Sequence, residues 1–372
     1  MVSPRPRLNG KRSMSDTFSK SYAEARDKFL HAAGSAGLSV ESHIHPLTGR
    51  DGETLAMDVV RDGPADAKRL LILSSACHGV EGYCGSGVQI QALRDPAWRA
   101  AAQEQQVAVL YIHALNPHGF SHVRRVTHEN VDLNRNFHDY KQPLPTNPDY
   151  VQVQHLLLPP VWPPNAENLQ ATAAYIAEHG MKGLQAAVSR GQHECPDGLF
   201  FGGHAPTWSN LTLRQVLQQH GQRAERLAWI DIHTGLGPSG VGERIFACKD
   251  DAAAFTRAKA WWGDHITSIY DGSSTSAFLT GLMWISAYQE CPQAEYTGMA
   301  MEYGTQPMEQ VMLALRGDHW LHNHPEAATE LKTRIKQDLM EAFYTDSDAW
   351  RSQILAQAQE AMLQAVQGLG RP

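Results

Sequence analysis

Apolar residues along this chain gather in short runs separated by segments of helical period. The run RLLILSSA, starting at Arg69, reads as a buried strand. Comparable runs recur at VAVLYIHAL (107–115), RLAWIDIH (226–233), RIFACK (244–249) and GMAMEYG (298–304), each separated from the next by segments of helical character. Upstream, HIHPLTGRDGETLAMDVVRDGP alternates on both sides of Gly-Arg-Asp-Gly, which predicts a hairpin. Residues 17–36 carry helical periodicity, and 327–367 predict one or two amphipathic helices packed against the sheet. Alternation of this kind implies an α/β fold: a single domain with a mostly parallel, mixed β-sheet flanked by helices.

Length and composition fit that picture. A chain of 372 residues with 42% hydrophobic content can bury one large core. Residues 1–15, rich in Pro, Ser and Arg, predict a mobile arm. The folded domain is expected at 16–345, with a C-terminal helix at 346–372 packed on it. Proline-rich stretches at 143–148 and 159–164 flank a surface insertion, about 140–210, rather than a linker, because strands of one sheet lie on both sides of it. The formal charge of -7 is spread without long single-sign runs, which argues against nucleic-acid and anionic-membrane partners. Small molecules or peptides are the expected substrates. Five cysteines with no CxxC pair suit a reducing compartment, the cytoplasm. The basic N-terminus has no apolar segment behind it, and no apolar run reaches 18 residues.

Candidate chemistry sits where strands end. SSACHGVEG places His78 and Glu81 three residues apart just past an apolar strand, a spacing that lets a Gly-containing turn aim both side chains at one point. A catalytic zinc site takes three protein ligands, commonly two across a short spacer and one from afar, with a fourth position for water. H-x-x-E alone is weak, since roughly one chance match is expected at ordinary glutamate usage. Its place at the carboxyl end of a strand strengthens it, because open α/β sheets hold their ligands there. His233, in WIDIHTGLG, is the distal candidate. A lone strand histidine is more often satisfied by backbone, but Asp231 two residues earlier shares its face and suits the second ring nitrogen.

Between these lies NPHGFSHVRRVTHENVDLNRNF, crowded with Arg124, Arg125, Asn134 and Arg135. Guanidinium forks suit carboxylates and developing oxyanions, although a solvated loop is the plainer alternative. Glu302, in MEYGT at a late strand end, is a carboxylate in an apolar run, placed to take a proton from water and pass it to a leaving amine.

Taken together in order, H-x-x-E at 78–81, NPxG at 116–119, Arg125 seven residues before the Asp of DLNRNF, His233 and Glu302 resemble the zinc carboxypeptidase superfamily. The likeness is greatest with a bacterial branch carrying SSGxHGVEG, NVDLNRNF, DGLFxGG, IDxHTGLG and MEYGT, and it covers residues 70–305. The resemblance implies one zinc ion on His78, Glu81 and His233, Arg125 as oxyanion stabiliser, Asn134 and Arg135 as the clamp for a substrate carboxylate, and Glu302 as general base and acid. It departs from the digestive-type pattern in the 233 - 81 = 152 positions between Glu81 and His233, an excess expected in the insertion and in 191–210, where it would roof the cleft. Because DLNR and H-x-x-E elements also occur in deacylases of N-acyl amino acids, the expected substrate is a peptide or an N-acyl amino acid, cleaved at an amide beside a free carboxylate. A cysteine or serine hydrolase, prompted by Cys77 beside His78 and by Ser86 in Cys-Gly-Ser-Gly, is disfavoured, since neighbouring strand residues face opposite ways and no G-x-S-x-G elbow exists. A catalytically inactive zinc- or peptide-binding protein is the other alternative, against which Glu302 counts, a pure binder needing no proton shuttle.

Overall fold

In a computed structural model describing residues 14–371, the apolar runs join one seven-stranded sheet. The chain enters through α1 (Tyr22–Ser35), the hairpin β1 (Val40–Thr48) and β2 (Thr54–Asp62), and β3 (Arg69–Ser74). Two helices, α2 (Gly82–Arg94) and α3 (Pro96–Glu104), lead to β4 (Val107–His113) and the short α4 (Pro117–Ser121). Then come α5 (Pro148–Leu157), α6 (Ala166–Ser189) and α7 (Trp208–Gly221), followed by β5 (Arg226–Ser239) and β6 (Gly242–Phe246). The last part holds α8 (Ala252–Trp262), α9 (Ile285–Glu290), β7 (Glu295–Gly304), α10 (Met308–Asn323), α11 (Thr329–Phe343) and α12 (Asp348–Gly370). The arm expected at 1–15 lies outside the described residues except for Met14 and Ser15, which open a 3-10 turn ending at Thr17.

The strand order is β1-β2-β4-β3-β5-β7-β6. β4, β3, β5 and β7 run parallel in the centre, while β2 and β6 run against them. Composition explains the split. β3 (RLLILS) and β4 (VAVLYIH) are apolar on both faces and buried along nearly their whole length, as strands covered by helices on each side must be. The edge strand β1 (VESHIHPLT) is polar and half exposed. α12 runs along α2, α3 and α8 and touches β3, β4 and β5.

One strand departs from the alternation read in the sequence. No helix separates β5 from β6. The chain turns at Gly240 (φ +75°) across the end of β7, where Gly240 N–H donates to Gly304 O and Gly304 N–H to Val241 O, both at 3.0 Å, and β6 returns antiparallel on the far side of β7. An apolar run carries no sign of its direction, so RIFACK could not reveal this. Among the described residues no helix is long and apolar enough to cross a membrane.

The buried core includes imidazoles held neutral. His113, at the end of β4, stacks on Phe29 of α1 with centroids 4.5 Å apart and meets the Ser86 hydroxyl at 2.8 Å through Nε2. Burial lowers its pKa to about 4, against the pull of Asp58, and burial likewise brings His138 to about 4 and His319 to about 3. The unfolded chain therefore protonates first, near 6.5, so the stability these rings contribute is complete above that value and is lost as pH falls from 6.5 toward 4. Glu302 and His233, whose pKa values are raised, act in the opposite sense, so the difference between variant and parent is the test. Between pH 6.5 and 4 the melting temperature of His113→Gln should fall less steeply than that of the parent chain; equal slopes, followed by circular dichroism, would contradict this.

Candidate active site

Three segments converge where β3 ends and beside the middle of β5, which continues through the Gly-rich stretch after His233 with a register shift between Thr234 and Ser239. After β3 the chain passes Ala76, at φ +57°, and reaches His78, then Gly79, whose backbone lies so near α4 that a Cβ there would sit 2.1 Å from Gly119 C. Only glycine permits that approach. Gly79 and Val80 N–H groups donate to Arg125 and Arg124 carbonyls at 3.0 and 2.9 Å, and the Asn116 amide donates to Arg125 O at 3.3 Å. NPHG thereby fixes Arg125 beside the H-x-x-E turn. Glu81 then stands at the N-cap of α2, where the helix dipole favours an anion.

Glu81 is 1% exposed, and both its oxygens are taken. Oε1 meets His78 Nδ1 at 2.9 Å and accepts from Arg125 Nη1 at 3.2 Å. Oε2 meets His233 Nδ1 at 2.9 Å and accepts from Thr234 N–H at 3.2 Å. The far nitrogen of each ring faces its own carboxylate: His78 Nε2 lies 3.2 Å from Asp132, and His233 Nε2 lies 2.6 Å from Asp231. Asp231 is held in turn by Ser74 Oγ at 2.5 Å, itself a partner of Trp229 Nε1. Asp231 thus sits on the same face of β5 as His233, as the period-2 reading expected.

Glu302 joins them through sheet register. It pairs with His233 across β5 and β7, and its Oε1 accepts from Leu236 N–H at 3.0 Å. Burial, then the charge of Glu81, raise its pKa to about 7, against the pull of His233. For Glu81 burial acts upward too, but His78 and His233 overcome it and hold the carboxyl far below its ordinary range. Burial opposes the charge on His233, yet Asp231 and Glu81 raise it well above the usual histidine value.

Arg125 donates through Nε to Asp132 at 3.0 Å and through Nη2 to His78 Nε2 at 2.8 Å, so it reaches the imidazole cluster. Arg135 is buried deeper. Its Nε and Nη2 donate to Ser189 O and its Nη1 to Asn134 O, leaving one N–H on each Nη, and burial lowers its pKa to about 10. Asn134 accepts from Met283 N–H at 3.1 Å and ties down the loop before α9. Arg124 turns away from the cluster, binding Asp318 at 3.0 Å and Asn130 at 3.0 Å.

Sequence reasoning gave Asp132 no role beyond a spacing mark, although it caps the DLNR turn and binds both His78 and Arg125. It also passed over Phe200, at φ +55°, whose ring lies 5.5 and 5.4 Å from the Arg125 and Arg135 guanidinium carbons. The DGLFxGG run was the available signal for it.

His78, Glu81 and His233 each offer one ligand atom, all within 4.8 Å of one another, and so could hold a metal ion. Cys77, Asp231 and His233 meet the same distance test, but burial and then the Asp231 charge keep the Cys77 thiol well above its ordinary pKa and hence unsuited as a thiolate ligand. Around the two rings, the carboxylates Glu81, Asp132, Asp231 and Glu302 outnumber the guanidiniums Arg125 and Arg135 by 4 - 2 = 2, an excess that a proton on His233 meets in part and that a cation would meet when the rings are neutral. A buried surplus of that sign is what a cation would offset.

The chain belongs to the family described as "Protein of unknown function (DUF2817)", whose model matches residues 18–357. None of the curated proteins matches it. Among solved structures, the chain is similar to bovine thrombin-activatable fibrinolysis inhibitor in complex with tick carboxypeptidase inhibitor, at 11% identity over 93% of this chain and 100% of that one, with a TM-score of 0.47. It is similar also to a candidate metallopeptidase of Shewanella amazonensis (13% identity, 83% and 94% covered, TM-score 0.43). A third similar structure is the Pseudomonas aeruginosa metallo-carboxypeptidase in complex with (2-guanidinoethylmercapto)succinic acid (12%, 90% and 69%, TM-score 0.38).

Because Asp318 holds both Arg124 and, at 2.6 Å, Lys336, its role is to anchor the arginine loop to α10 and α11. Asp318→Ala strands a buried guanidinium and is expected to cost about 3–5 kcal/mol in chemical denaturation; a loss below about 1 kcal/mol would show that the pair is not an anchor.

Proposed function

We propose that this chain is a zinc-dependent hydrolase that cleaves an amide or peptide bond beside a free carboxylate, with one ion on His78, Glu81 and His233. The observation that carries the reading is the arrangement of the two rings: both turn Nδ1 to one buried carboxylate, and both present Nε2 to a second carboxylate, the pairing by which ligand imidazoles are oriented and made more basic. The ion would supply Lewis acidity, polarising a carbonyl and acidifying a water.

The chain's own groups do the rest. Glu302, held through one oxygen by Leu236 N–H, has a proton affinity near neutrality, which suits a group that takes a proton from water and returns it to a leaving amine. Arg125 directs its donors into the ligand cluster, where an oxygen gaining negative charge would find them. Arg135 and Asn134 stand further along the cavity wall as the clamp for the substrate carboxylate, using the two Nη N–H groups that Arg135 has to spare. Unpaired cysteines support a cytoplasmic location.

His78→Ala and His233→Ala are each expected to remove most bound zinc while the fold persists, because Glu81, deprived of one ring, can take up a proton in place of the lost partner. Stoichiometric zinc in folded His233→Ala, measured by mass spectrometry of the metal, would overturn the ligand set.

Glu302→Gln keeps shape and metal but cannot accept a proton, so turnover should drop by about 10² to 10⁴-fold with little change in affinity. Since the base must be ionised and burial beside Glu81 raises it to about 7, while a cation there would lower it, kcat/KM should climb with pH through a midpoint no higher than about 7. Full turnover in the variant, or a rate falling between pH 5 and 7, would refute Glu302 as the base.

A further inference from the structure

The ligand cluster opens on a cavity of about 540 Å³ that is much larger than one side chain needs. A cavity of roughly 150 Å³ suffices for benzene, so an aromatic side chain would fill about a quarter to a third of this one. Its wall is hydrocarbon contributed by distant segments, among them Leu156 of α5, Leu184 and Val188 of α6, Leu282 of the loop before α9, and Val311 and Met312 of α10. Gly180, at φ +74°, breaks α6 ahead of the turns that carry Met181, Leu184 and Val188.

Several polar groups in that wall are committed elsewhere, while among the described residues the Tyr296 hydroxyl, buried without a partner, and the Gln185 amide are not. Arg316 gives Nε to the Leu157 carbonyl and Nη2 to Leu156 O and Asn168, keeping Nη1, and Arg135 gives three N–H groups to Ser189 and Asn134. The Thr172 hydroxyl donates to Asn168 O and that of Thr275 to Glu243. A peptide lying there would bury N–H and C=O groups with few partners, whereas a hydrocarbon chain has none to satisfy. A second feature points the same way. Met181, Met308 and Leu313 line the cavity and are still 59%, 46% and 45% exposed, so its apolar surface continues out to solvent.

We infer that the substrate is an N-acyl amino acid with a long hydrocarbon acyl chain, the chain lying in this cavity and the amino-acid carboxylate toward Arg135. This rests on the hydrolase reading above. Water's oxygen joins the acyl carbon as the C–N bond breaks, and both its protons end on the nitrogen, giving a fatty carboxylate and a free amino acid with a charged ammonium group.

The test is a series of N-acyl derivatives of one amino acid, from acetyl through hexanoyl and decanoyl to hexadecanoyl, beside matched dipeptides, on the zinc-loaded protein. Binding of the same series to Glu302→Gln is measured by calorimetry. kcat/KM should rise roughly three- to fourfold per methylene until the cavity is full. Leu184→Arg should cut the ratio of hexadecanoyl to acetyl rates at least tenfold, and Met181→Glu, at an exposed position that leaves the fold intact, should cut it in the same direction. A flat or falling profile on a protein that does cleave acetyl derivatives or dipeptides overturns the acyl inference and leaves the hydrolase reading standing. If nothing is cleaved, the hydrolase reading fails, and binding decides the cavity's occupant: affinity that climbs with chain length and falls in Leu184→Arg supports the acyl chain, and affinity independent of length overturns it.

Discussion

A single buried carboxylate sets the terms for this site. Glu81 could not stay ionised in the core unless each oxygen were fully bonded, because an unpaired interior charge costs far more than the fold can spare. Its four partners come from three separate stretches: the β3–α2 turn gives His78, the middle of β5 just before its irregularity gives His233 and Thr234, and the loop after α4 gives Arg125. Those stretches must therefore meet at one point for Glu81 to keep its charge in the core, and without them it would take up a proton instead. The N-terminus of α2 contributes by placing its positive end at the same carboxylate.

The requirement spreads into the packing. Backbones at Gly79 and Gly119 approach closely enough to exclude any side chain, and Gly85 of α2 lies against Ser75, where a Cβ would come 2.7 Å from the serine's own. These contacts draw α2 and α4 onto the end of the sheet, and Asn116 converts the α4 cap into a grip on Arg125. Parallel pairing of β5 with β7 then sets His233 opposite Glu302 without any loop needing to be ordered. The most exacting juxtaposition is thus carried by sheet register, which is rigid, and the adaptable arginines come from loops.

Much of this was legible in the sequence, for identifiable reasons. Strands buried on both faces announce themselves as unbroken apolar runs, so β3, β4, β5 and β7 were visible, and a charged or imidazole side chain at the end of such a run stands out as needing an explanation. That singled out His78, Glu81, His233 and Glu302, which the structure brings together. Direction and order were not legible, since nothing in RIFACK distinguishes an antiparallel edge strand from a parallel one. Arg124 and Arg125 are neighbours of identical chemistry, and only the fold separates the anchor on Asp318 from the side chain in the cluster. The cavity was hidden for a different reason. Its wall is assembled from α5, α6, α10, β6 and the loop before α9, each apolar in a way that core packing alone would explain.

Wall and cluster act on one another. Burial is the foremost cause of the raised Glu302 carboxyl and of the lowered Arg135 guanidinium, and part of that burial is the hydrocarbon lining of the cavity. Filling the cavity with an apolar chain would displace water from beside both groups and lower the effective dielectric further. The interaction of Arg135 with a carboxylate would strengthen under those conditions, as would that of Arg125 with an oxygen gaining charge, while Glu302 would hold a captured proton more firmly until a more basic amine departs. On the proposed reading, substrate hydrophobicity and proton transfer would be coupled because they share one physical variable, the amount of water left around Glu302.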